Sequence, residues 1–97
     1  MKADSLLIQA AEVMQERGKQ YDKADGERSM GKAVQAFNII TGHSIRESEG
    51  WLLMELLKNV RNFTGQKHHT DSLLDGIAYS ALKAEAGMAE NLEKAWR

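Results

Sequence analysis

Residues 44–64 read SIRESEGWLLMELLKNVRNFT, and this stretch decides the fold class. Leu52, Leu53, Leu56, Leu57, Val60 and Phe63 recur at three- and four-residue spacing, the period of a helix with one broad apolar face. Ser44-Ile45-Arg46-Glu47 precedes them as a capping-box pattern, in which a serine hydroxyl and a glutamate carboxylate satisfy amide donors that the first turn leaves open. Gly65 ends the run. The spacing therefore predicts a central core helix beginning at Ser44, and its arc is wide enough to predict a partner beyond its own chain.

Working outward, the same period appears three more times. Leu6, Leu7, Ala10, Ala11 and Met14 mark a helix over about 3–20. The polar stretch Tyr21 to Arg28, with its Asp25-Gly26 turn signal, reads as a loop. Met30, Ala33, Val34, Phe37 and Ile40 mark a short helix from Ser29 or Met30 to Thr41, stopped by Gly42. QKHHT at 66–70 is a connector whose Thr70 caps a fourth helix, with Asp71 in its first turn and a stripe of Leu74, Ile77, Ala78, Ala81 and Leu82. Past Gly87 the pattern thins, leaving a helical extension or a tail. No useful strand alternation, internal repeat or low-complexity tract interrupts this order. The chain reads as one all-α domain, like a four-helix bundle, with its core over about 4–86.

Composition narrows the function. The 97 residues hold 13 Lys and Arg against 14 Asp and Glu, a formal charge of -1, so the basic excess that drives bulk nucleic-acid binding is missing. Without Cys, disulfides, thiolate metal sites and a Cys nucleophile are excluded. No apolar run approaches the roughly 18 residues of a membrane span, and Glu12 interrupts the N-terminal stretch where a signal peptide needs apolar continuity. A cytoplasmic protein without membrane contact is expected. A small single-chain core makes self-association, as a homodimer or higher oligomer, the expected state. There is no P-loop, dinucleotide fingerprint, HExxH or GxSxG.

Several residues have side chains suited to chemistry. Asp71 and Asp75 lie one helical turn apart on one face, which suits half of a Mg²⁺ site completed by substrate phosphate. Asp71 also suits a helix N-terminus, and Asp75 a satisfied structural carboxylate. His68 and His69 precede the pair, and His69 is placed to meet Asp71 or a ligand held there. Lys58 and Arg61 share a flank of the third helix, so they suit a phosphate, solvent, or a pairing with Asp75 inside the bundle. Arg17, Lys19 and Tyr21 suit phosphate binding and base stacking, or a polar helix exit.

Arg17, Tyr21, Glu27-Arg28-Ser29-Met30, Ala36-Phe37-Asn38, Glu49-Gly50-Trp51, Leu56-Leu57-Lys58-x-x-Arg61 and above all His69-x-Asp71-Ser72-x-x-Asp75-x-x-Ala78-Tyr79 resemble a family of short phage and prophage proteins of unassigned function. The match spans about residues 6–86. That family is distantly similar to the all-α nucleotide pyrophosphohydrolases of the MazG-like and dimeric dUTPase type, which hold Mg²⁺ around a triphosphate with carboxylates from two helices. The resemblance implies a nucleotide-binding protein, with Mg²⁺-dependent pyrophosphohydrolysis as the associated chemistry. It makes Asp71 and Asp75 the catalytic carboxylates, with Glu55 beside them as metal ligands, and Lys58, Arg61, His69, Tyr21 and Arg17 the ligand contacts. The dense EExxE cluster of those hydrolases is not matched: the helix offers Glu47, Glu49 and Glu55, and Glu49 and Glu55 stand roughly 240° apart around it. The alternative is a non-catalytic phage accessory protein in a bacterial host's cytoplasm. Such a protein sequesters a nucleotide signal or acts against host defence by binding a host protein directly.

Overall fold

Four segments of helical periodicity become four helices in the computed structural model: α1 (Ala3–Gln20), α2 (Met30–Thr41), α3 (Glu47–Thr64) and α4 (Thr70–Asn91). The model describes residues 2–20, 29–65 and 70–91, with 18–20 placed through their helical backbone alone. Among the described residues there is no strand. The class is all-α and the arrangement bundle-like. No helix among them is long and apolar enough to cross a membrane.

The turn between α2 and α3 is built by one side chain. At the end of α2, Gly42 takes φ +75° and its N–H donates to the Asn38 carbonyl at 2.9 Å, the left-handed termination that glycine adopts without steric cost. Asn38 then uses both ends of its amide on Ile45: Nδ2 donates to the Ile45 carbonyl at 2.9 Å, and Oδ1 accepts the Ile45 N–H at 3.0 Å. Ile45 is thereby engaged outside the helix, and Arg46 follows it in an extended conformation, φ -97° and ψ 163°. So α3 begins at Glu47, three residues later than the Ser44 pattern predicts. The residue that completes its first turn is Glu49, whose Oε1 accepts the Arg46 N–H at 2.9 Å and the Arg46 Nε–H at 3.3 Å. These bonds, the backbone one foremost, hold the Glu49 carboxyl below the usual glutamate range.

Gly50 sets how closely α2 meets α3. A Cβ at that position would lie 2.5 Å from Met30 Sδ and 2.8 Å from Val34 Cγ2, well inside van der Waals contact. Only a hydrogen there lets Val34 become buried.

α3 and α4 form an antiparallel pair, because successive contacts climb one helix while descending the other. Ser48 meets Glu90, Glu55 meets Lys83, and Lys58 meets Asp75. The Glu90 carboxylate accepts the Ser48 N–H at 2.9 Å and the Ser48 Oγ–H at 2.7 Å, placing negative charge at the N-terminal turn of α3, where the helix dipole favours it. Trp51, buried, stacks on Tyr79 with ring centroids 5.7 Å apart. α1 lies against α4, and Ala10, Ala78 and Ala86 are buried, small residues that suit close helix approach. The α4 helix continues through Gly87 to Asn91.

The face of α3 that packs inward differs from the one its leucines predict. Gly50, Trp51 and Asn62 are buried, and Met54, Glu55 and Lys58 are half-buried. Leu52, Leu53, Leu56, Leu57, Val60 and Phe63 are all exposed. The spacing identifies residues that share a face, but the other face, carrying Trp51 and a polar stripe, is the one α4 covers.

Candidate functional site at the Asp75 junction

Asp75 sits where three helices meet. Its place one turn into α4 points the carboxylate toward α1 and α3, and the side chain is 12% exposed. Arg17 from α1 reaches Oδ1 at 2.9 Å, and Lys58 from α3 reaches Oδ2 at 3.3 Å. The two cations differ in setting. Lys58 is 13% exposed and Arg17 46%, so the lysine is part of the interior and the guanidinium stands at the rim. Among the described residues, two cations stand around this one carboxylate. Of the readings open for Lys58, the structure shows the pairing with Asp75 inside the bundle.

The other site residues distribute as follows. Asp71 shares the helix face of Asp75 but is exposed at the start of α4. Arg61 is exposed in the last turn of α3, where its carbonyl accepts the Gly65 N–H at 3.1 Å. Glu55 accepts from Lys83 Nζ at 2.7 Å, and Lys83 itself stands two turns of α4 beyond Asp75, roughly 12 Å of helix rise. Tyr21 and His69 lie outside the described residues, as do His68 and the Lys19 side chain. Among the described residues no three His, Asp or Glu side chains gather to hold a metal ion. Asp75 pairs with Arg17 and Lys58, Glu55 pairs with Lys83, and Asp71 is exposed.

Beside the junction runs a cleft of about 600 Å³ between α1, α3 and α4. Leu6, Leu7, Leu73 and Ile77 give it apolar walls, and Asn59, Asn62 and Ser80 add polar groups. Gly76 connects the two features: it lines the cleft, adjoins Asp75 in sequence, and a Cβ built on it would stand 3.8 Å from Lys58 Cβ and 3.9 Å from Asn59 Oδ1. Asn62 is buried, and among the described residues its Oδ1 has no hydrogen-bond partner, a costly condition for an amide oxygen. Asn62 and Lys83 were not singled out from the sequence. A signal for Asn62 does exist: Glu55, Lys58 and Asn62 recur at three- and four-residue spacing, a polar stripe opposite the leucines.

A family model described as a domain of unknown function, DUF6378, matches residues 5–87, from α1 to Gly87 in α4. No curated protein and no solved structure matches the chain.

Proposed function

The chain belongs to the DUF6378 family, and we propose that it is a binding protein for a phosphate-bearing small molecule, a nucleotide first among them. The observation that carries this reading is the convergence of Arg17 and Lys58 on Asp75 beside a largely apolar cleft. Cations on two helices offer a phosphate several donors at once, and a guanidinium has more donors than one carboxylate oxygen uses. In this reading Asp75 is a positioning residue that holds both cations together beside the cleft. The base or other organic group lies against Leu6, Leu7, Leu73 and Ile77. Arg61 and Asp71, both exposed, stand on the adjoining helix ends.

Binding without turnover is favoured over pyrophosphohydrolysis because both Asp75 oxygens face cations of the chain. Mg²⁺ then arrives as the counter-ion of the nucleotide's own phosphates. The phage accessory role implied by the resemblance fits such a binder, as sequestration of a nucleotide signal.

Calorimetric titration with nucleoside triphosphates, cyclic dinucleotides, pyrophosphate and inorganic phosphate, with Mg²⁺ and with chelator, tests the reading. Saturable binding that Arg17→Gln weakens on the order of tenfold, with the nucleotide recovered intact after heat denaturation, is the expected result. A folded protein that binds none of the panel overturns it, and product formation lost in Asp75→Ala replaces it with a hydrolase.

A further inference from the structure

Leu53, Leu56, Val60 and Phe63 follow one another at intervals of three, four and three residues, the spacing of a helix-helix seam. They are 66%, 48%, 57% and 86% exposed. Leu52 and Leu57 flank them, also exposed, and no charged residue interrupts the set. Meanwhile the described core of the chain consists of Ala10, Val34, Trp51, Leu74, Ala78 and Ala86, half of it alanine. The larger apolar side chains of α3 face away from the helices of their own chain.

We infer that this face of α3 is the seat of a second copy of the same chain, with the two α3 helices antiparallel and crossing at Lys58. Three observations select that occupant. The positions 53, 56, 60 and 63 are symmetric about 58, so a two-fold axis there lays the stripe on itself, Leu53 against the partner's Phe63 and Leu56 against the partner's Val60. The area is of the right size. The exposed parts of the six residues come to on the order of 600 Å² per copy, against about 800 Å² per partner in a standard interface.

The third observation concerns direction. α2 packs on the beginning of α3, at Gly50, and carries exposed large apolar residues of its own, Phe37, Ile39 and Ile40. Antiparallel crossing carries the partner's Phe63 end over that end of α3, within reach of α2. Parallel crossing leaves Phe63 against Phe63 and α2 against α2. It also aligns the two helix dipoles unfavourably.

The experiment uses the absence of Cys, which makes engineered thiols unique. Sedimentation equilibrium of the full chain at micromolar concentration should give twice 10.8 kDa, and Val60→Arg should return it to one copy with helical circular dichroism retained. Leu53→Cys and Phe63→Cys are then oxidised separately and as a mixture. Antiparallel seating predicts the mixed 53–63 disulfide as the dominant product, because like positions then stand roughly 15 Å apart along the axis. A wild-type monomer overturns the proposal. So does a mixture that yields only 53–53 and 63–63 products, and so does a dimer whose mass Val60→Arg leaves unchanged.

Discussion

Lys58→Met offers the most direct measurement of what the Asp75 junction contributes. The substitution keeps the length of the buried stem and deletes the ammonium 3.3 Å from Asp75 Oδ2. Asp75 retains Arg17 at 2.9 Å on its other oxygen, but that guanidinium is nearly half exposed and its attraction is correspondingly screened. Breaking a buried pair so that one charge is stranded costs about 3–5 kcal/mol. With one partner remaining, about 2–3 kcal/mol is expected here, or a fall in thermal midpoint on the order of 10–20 °C for a domain of this size. The assay is urea unfolding at fixed protein concentration, followed by fluorescence and circular dichroism. Lys58→Met with Asp75→Leu removes both buried charges and frees Arg17 to turn to water. The double variant should stand within about 1 kcal/mol of wild type. A single variant that loses less than about 1 kcal/mol, or a double variant no more stable than the single, refutes the reasoning.

Three further outcomes follow from local geometry. Gly50→Ala should cost about 1–2 kcal/mol, the overlap with Met30 and Val34 outweighing alanine's better helix propensity, and Met30→Ala in the same chain should recover part of the loss in urea unfolding. Asn38→Ala should cost about 1–2 kcal/mol and remove the hydrogen-exchange protection of the Ile45 amide, whose acceptor is Asn38 Oδ1. Glu49 has a folded pKa below its unfolded value, so the unfolded chain binds the proton more readily and stability rises with pH between the two values. The stabilisation is complete above the ordinary glutamate pKa and is lost as pH falls through the lowered folded value. The difference in thermal midpoint between wild type and Glu49→Gln should therefore hold from neutral pH into mild acid and then close.

Much of the fold is legible along the chain because its punctuation is local. Gly42 and Gly65 end helices, and the periodic stripes of the first and second helices give their extents. The start of α3 is displaced because a side chain seven residues upstream, Asn38, takes both backbone groups of Ile45, and no capping pattern near Ser44 reports that. The burial of α3 is misread for a different reason. Periodicity sorts residues onto faces without saying what covers each face, so six apolar residues look like the inside of a chain that in fact packs Trp51, Lys58 and Asn62 inward. At the junction, Lys58 with Asp75 is among the pairings that spacing allows. The arrival of Arg17 depends on how far α1 slides along α4, a non-local quantity. Glu55 is drawn away to Lys83 by the same kind of register.

Three of the polar contacts between α3 and α4 also do something that their modest energies conceal. Alanine-rich apolar surfaces such as those of Ala78 and Ala86 offer nearly the same burial if one helix slips along the other by a turn, about 5.4 Å. Ser48 with Glu90, Glu55 with Lys83 and Lys58 with Asp75 cannot follow such a slip, and all three break at once. They work as the teeth of a ratchet, set at the beginning, middle and end of the helix pair. A chain with the three acidic partners neutralised should keep its helical content yet lose the single set of sharp amide resonances that one fixed alignment gives.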